Sequence, residues 1–161
     1  MSTTLIVNQQ PFEYPDPGES PGWGQPASDW AGEVTLVLND LLGPNDITQT
    51  TFAIQNNQSI SNVVGLVFNT GQVRSSTIDY TIYRVSSTTT SGSVEAGTIR
   101  IVYDNNAATG SKWIMGVYDR VGDAGVVFSI TDAGQIQYTS TDIGSISYSG
   151  VMHFRAKSLG Q

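Results

Sequence analysis

His153 is the only histidine among the 161 residues and there is no cysteine, so a multi-histidine or thiolate metal centre has no ligands to draw on. It falls between Met152 and Phe154 in an alternating stretch, which puts it on the opposite, outward face of a strand. Nucleophilic catalysis would pair it with a serine and an aspartate, yet no Gly-x-Ser-x-Gly elbow singles out any of the 18 serines. Paired carboxylates for glycoside hydrolysis would have to come from Asp104, Asp119, Asp123, Asp132 and Asp142. All five sit where strands give way to turns, a place Asp takes for turn chemistry alone. Asp119-Arg120-Val121-Gly122-Asp123 could bring two carboxylates to one Ca²⁺, but the spacing matches no EF-hand loop. Gly116 and Gly122 stand in strand and turn context, not before a phosphate-binding helix. The expectation is a protein that is not an enzyme, with no metal site and no cofactor.

Recognition is the other chemistry these residue types allow. Flat rings on one sheet face can stack sugars, and Trp113, Tyr118, Tyr83 and Tyr148 lie on or beside strand-like stretches. Aromatic residues on alternating strands are more often core or subunit contacts, so a carbohydrate-binding module is the alternative reading. A second aromatic set, Phe12, Tyr14 and Trp23, lies in residues 9–27, punctuated by Pro11, Pro15, Pro17, Pro21 and Pro26. Each proline removes a donor and pushes its predecessor toward extended geometry, so this segment reads as an extended arm with turns. Rings of that size call for a surface to lie on, a partner's or the chain's own body.

One helix is expected after the arm, from about Asp29 to Leu42. Ser28 is a plausible N-cap, Asp29 and Glu33 suit the positive end of the helix dipole, and Gly43-Pro44 supplies the stop. Trp30, Val34, Val37, Leu38 and Leu41 draw one apolar stripe that must be covered. Val34, Val37 and Leu41 have a/d spacing, but under two heptads cannot hold a coiled coil unaided.

From Ile47 onward the apolar period is two. Strands are predicted near Thr50–Gln55 (Phe52, Ile54), Asn62–Asn69 (Val64, Leu66, Phe68), Thr77–Val85 (Ile78, Tyr80, Ile82) and Gly97–Tyr103 (Ile99, Ile101, Tyr103). Four more are predicted near Lys112–Tyr118 (Trp113, Met115, Val117), Gly125–Ile130 (Val126, Phe128, Ile130), Gln135–Ser140 (Ile136, Tyr138) and Gly150–Lys157 (Met152, Phe154, Ala156). The Thr131-Asp132-Ala133-Gly134 link suits a tight hairpin with Gly134 in the left-handed region. Ser86 to Ser93, low in complexity, reads as an exposed hairpin loop. The fold class is mainly β, an antiparallel β-sandwich of about eight strands over residues 47–161, preceded by an extended arm and one short helix in residues 1–46.

Charge divides the chain in the same place. All six prolines lie in the first 44 residues, and before Arg74 there is no Lys or Arg, against seven carboxylates. The net charge of -7 makes nucleic acid and anionic membrane unattractive partners. Charged residues are only 13% of the chain, about half the usual share, while Ser and Thr fill 35 of its positions, so the surface is neutral and hydroxyl-rich. The residues Met1 to Val7 have neither a basic n-region nor a long apolar h-region, so classical secretion is not expected, nor is use of the Asn57-Gln58-Ser59 sequon.

Two stretches together resemble tailed-bacteriophage virion structural proteins. The first runs from Phe12-Glu13-Tyr14-Pro15-Asp16-Pro17-Gly18-Glu19-Ser20-Pro21-Gly22-Trp23-Gly24 into Asp29-Trp30-Ala31 and the helix. The second is Gly122-Asp123-Ala124-Gly125-Val126-Val127-Phe128-Ser129-Ile130-Thr131-Asp132-Ala133-Gly134-Gln135-Ile136-Gln137-Tyr138-Thr139-Ser140, followed by Tyr148-Ser149-Gly150, similar to a β-rich module of the same proteins. The resemblance implies a location in the virion, a non-enzymatic role, and capsid, neck or tail proteins as partners. No receptor-binding tip or chaperone domain follows Gln161, so the implied part is a small one, a capsid decoration (cement) protein or a neck or tail appendage. By analogy with fibres and decoration proteins it implies a homotrimer. Phe12, Tyr14, Trp23, Trp30, Val34, Val37 and Leu41 are then the candidate attachment and interface residues.

Overall fold

The computed structural model describes residues 3–7, 10–14, 24–41, 45–88 and 92–160. They form two compact units, Met1–Gly43 and Pro44–Gln161. In the first unit β1 (Thr3–Val7) and β2 (Gln10–Tyr14) pair as an antiparallel ribbon, Thr3 opposite Tyr14 and Val7 opposite Gln10. The expectation of an extended arm with turns did not include this strand pairing. Leu5, Ile6 and Val7 favour a strand, and both strands of a two-stranded ribbon are edges, where Pro11 can be accommodated.

The helix α1 runs from Gly24 to Leu41, five residues earlier than expected, and lies against β2. Ser28 is therefore inside the helix and is not its N-cap. The reason is Pro26, which stands in the first turn, where backbone N–H groups have no intrahelical acceptor, so its missing donor costs no bond.

The second unit is an eight-stranded antiparallel sandwich. Its strands are β3 (Ile47–Ala53), β4 (Ser61–Val67), β5 (Val73–Val85), β6 (Ser93–Tyr103), β7 (Trp113–Gly122), β8 (Val126–Ile130), β9 (Gln135–Ser140) and β10 (Ser149–Gly160). One sheet has the order β3-β10-β5-β6-β7 and the other β4-β9-β8. Ile47 at the start of β3 lies opposite Ala156 near the end of β10. The inward sets of the two sheets form one core, with Ile78, Tyr80 and Ile82 of β5 and Met152, Phe154 and Ala156 of β10 all buried. Ring contacts cross between the sheets, Phe52 with Tyr138 at 5.5 Å and Tyr80 with Phe128 at 5.2 Å between centroids, both edge-on. At the β8–β9 hairpin Gly134 has φ 82°, and a side chain there would collide with the Phe68 carbonyl.

Strand β4 departs from strict alternation. Val64, expected inside, is 72% exposed, while Val63 and Leu66 are buried. Gly65 between them has φ 85°, and the β4–β9 register shifts between Asn62 and Val67, so one extra residue turns both Val63 and Leu66 inward. The Gln135 side-chain amide donates to the carbonyls of Val63 (3.0 Å), Leu66 (3.2 Å) and Ile136 (2.7 Å), acceptors clustered about the bulge. A Cβ on Gly65 would meet only ordinary contacts with Thr50 and Phe154, so Gly65→Ala tests the backbone alone. It should cost about 1–2 kcal/mol in urea unfolding, the penalty of a left-handed L-residue.

Candidate functional site

Of the candidate interface residues, Phe12 and Tyr14 are in β2, and Trp30, Val34, Val37 and Leu41 are in α1. Trp23 and the side chains of Phe12, Tyr14, Val37 and Leu41 lie outside the described residues. Trp30 and Val34 are half-buried, and Ala31, Gly32, Glu33, Thr35 and Leu36 are exposed. No residue from Asp29 to Leu36 is fully buried. Thr35 donates to the Ala31 carbonyl (2.7 Å), within the helix.

His153 is exposed on the outer face of the five-stranded sheet, as alternation predicts, with Nδ1 3.0 Å from Thr51 Oγ1. A shallow depression of about 240 Å³ beside it is lined by Gln49, Asp79, Thr81, His153 and Arg155. Asp79 Oδ1 accepts from Thr98 (3.1 Å) and Oδ2 from Arg155 (3.1 Å). Both carboxylate oxygens thus have partners other than His153. Among the described residues no three His, Asp or Glu side chains cluster to hold a metal ion, and no described helix is long and apolar enough to cross a membrane.

Of the loop carboxylates, Asp104, Asp123 and Asp142 do turn chemistry, and Asp132 instead ties down the distant loop at residues 110–112. Asp104 Oδ1 accepts from Asn106 N, and Asp123 Oδ1 from Gly125 N. Asp132 accepts from Gly110 N and Lys112 N, and Asp142 from Gly144 N and the Asn56 amide. These bonds hold both Asp132 and Asp142 below the usual carboxylate range. A carboxylate depressed in the fold stabilises it above the unfolded value and loses that contribution as pH falls through the folded value. The melting temperature of the native chain should therefore drop on acidification below about pH 4, and an Asp132→Asn/Asp142→Asn variant should show a shallower drop. Parallel thermal melts from pH 7 to about pH 2 check this; equal slopes would refute it.

Of the four rings considered as a sugar platform, Trp113 is 7% exposed and packs on Phe68 and Tyr103, so it belongs to the core. Tyr148 donates its phenol to the Ile54 carbonyl and accepts from Arg84. The Tyr118 side chain lies outside the described residues, and Tyr83 alone is seen exposed. The Ser86–Ser93 loop is also less exposed than expected at its start, where buried Ser86 donates to the Ile143 carbonyl. Residues 89–91 lie outside the described ones.

A polar cluster that alternation does place, but that the strand pattern alone passed over, is at one pole of the sandwich. Arg84 follows Tyr80 and Ile82 in inward phase and is 0% exposed. Its donors reach Tyr148 Oη, Ala124 O, Thr141 Oγ1, Asn56 Oδ1 and Thr141 O, a set that occupies all five N–H groups. Glu95, 1% exposed, accepts from Tyr80 Oη (2.7 Å) and Ala124 N (2.9 Å). Ala124 thus gives its carbonyl to the cation and its N–H to the anion. Burial, and then the Glu95 hydrogen bond, push the Tyr80 phenol well above its ordinary value, so it remains a donor. A charged residue in the inward phase of a strand was the signal in the sequence.

No protein-family model matches the chain, and no curated protein matches it. Among solved structures it is similar to the Acinetobacter phage vB_ApiP_P1 tailspike protein, with a TM-score of 0.41 and 8% identity over 71% of this chain. The match spans 22% of that tailspike chain.

Proposed function

We propose that this chain is a non-enzymatic structural component of a tailed-phage virion. It acts as an accessory capsid decoration protein or a neck or tail appendage subunit, and attaches through its N-terminal unit. The observation that carries the reading is the partition of charge and rings between the two units. Met1–Gly43 has six carboxylates and no Lys or Arg, with Phe12, Tyr14, Trp23 and Trp30, whereas Pro44–Gln161 holds all seven cations. A unit so acidic and aromatic suits attachment to a basic, partly apolar surface. The resemblance of residues 12–31 and 122–150 to virion structural proteins supports the same assignment, and the apolar stripe of Trp30, Val34, Val37, Leu38 and Leu41 supports association as a homotrimer about a shared axis.

The test is binding to particles that lack the protein. Chains lacking residues 1–27 should keep the melting transition of the sandwich yet co-sediment with particles at least about tenfold less than the full chain. Phe12→Ala with Tyr14→Ala should weaken attachment in the same direction. Full occupancy by the truncated chain would overturn the proposal.

A further inference from the structure

Each sheet of the sandwich ends in two edge strands, β3 and β7 in one, β4 and β8 in the other. Three of the four carry an irregularity that spoils them as templates for a further strand. Strand β3 has an extra residue between Ile47 and Thr50 against β10. Strand β7 has one between Tyr118 and Val121 against β6, with Asp119 at φ 52°, and β4 slips against β9 about Gly65. Among the described strands of the sandwich β8 alone is an edge in unbroken register, from Val126 opposite Ser140 to Ile130 opposite Ile136. Its sequence, Val-Val-Phe-Ser-Ile, has no charge, proline or glycine, and Val127 is 67% exposed. Bulge, proline and charge, the devices that blunt an edge within its own strand, are all missing from this one.

We propose that β8 pairs antiparallel with β8 of a second copy of this chain, about a twofold axis at Phe128, and so joins two three-stranded sheets into one. The direction of the backbone groups allows it. Thr141 N donates to Gly125 O (2.9 Å) and Thr131 N to Gln135 O (3.0 Å), so odd-numbered residues along this strand turn their N–H and C=O groups toward β9. Val126, Phe128 and Ile130 therefore turn theirs toward the edge. With the axis at Phe128, Val126 meets the second copy's Ile130 and Phe128 meets its own counterpart, which gives about six N–H···O bonds. The same features single out the occupant. No other described edge of the sandwich offers a regular strand to match, and an uncharged strand meets no like-charge repulsion from its own copy. Such a contact is isologous and closes at two copies, so it consumes the edge instead of propagating it into a fibre. It uses no residue of Met1–Gly43 and stands independent of the attachment reading.

The experiment places single cysteines on full chains, since the native sequence has none. In this register Val127 lies directly opposite the second copy's Ser129, with Cα atoms about 4.5 Å apart and within disulfide reach. Like positions lie about 8 Å apart, beyond that reach. A mixture of Val127→Cys and Ser129→Cys chains should therefore oxidise to a covalent dimer at least tenfold faster than either variant alone. Val127→Lys puts a charge on an exposed position of the edge. It should weaken association in sedimentation velocity at least tenfold while keeping the native melting transition. Amide exchange at Phe128 and Ile130 should slow at least tenfold between dilute and concentrated native chain, a change that contact through side chains alone would not produce. A native chain that stays monomeric overturns the proposal. So does association indifferent to Val127→Lys, or linkage within either cysteine variant alone as fast as in the mixture. Protection of the same amides only on particles would assign the edge to a strand of another virion protein and overturn pairing between copies.

Discussion

Arg84→Met is expected to destabilise the sandwich by about 3–5 kcal/mol, because it strips several acceptors of a buried donor, each worth about 1–3 kcal/mol. The side chain is fully buried and its five donors satisfy acceptors on three loops and on Tyr148. Methionine fills a similar volume but donates nothing. The Ala124 carbonyl would lose its donor inside the protein, and the Thr141 carbonyl would keep only its 3.3 Å bond from Asn57 N. Arg84→Lys should recover only part of the loss, since three donors on a point charge cannot match a planar fork. Urea unfolding reads the effect as a lower midpoint at constant slope. A change under about 1 kcal/mol for Arg84→Met would mean that water replaces the guanidinium without cost.

Trp113→Ala is expected to cost about 3–5 kcal/mol as well, through the cavity left between Phe68 and Tyr103. The indole Nε1 is buried with no hydrogen-bond partner, so Trp113→Phe removes a group already paying a desolvation penalty and should be much milder. That ordering separates a core residue from a sugar platform, where both substitutions would spare stability and abolish binding. Melting curves with a glycan-binding assay on the same samples distinguish the two. Native stability of Trp113→Ala would return the ring to the surface reading.

The sandwich was legible because its inward residues obey a period of two almost throughout. All eight strands of the second unit were expected near where they lie, and Gln135–Ser140 matches end to end. Alternation also put His153 outside and Gly134 in its turn. The misses have local causes. Gly65 at φ 85° breaks the period, so Val63 replaces Val64 in the core, and nothing in Val63-Val64-Gly65-Leu66 marks the bulge before the register is known. The helix starts earlier because Pro26 can open a helix as readily as forbid one, a choice made by its place in the turn. The β1–β2 ribbon was masked by the proline run that follows it. For the candidate site, composition and spacing showed where acid and rings gather. The partners of Arg84 could not be read, because they come from loops far apart in sequence that only the fold brings together.

The strand by which the backbone enters the sandwich and the one by which it leaves are hydrogen-bonded neighbours running in opposite directions, with Ile47 beside Ala156 at one end. Tension applied between those two points would open the ladder like a zipper, rung by rung, instead of shearing many rungs at once. Such an arrangement resists pulling poorly. It suits cladding that bears compression or merely occupies space, and a load path that runs past this unit rather than through it.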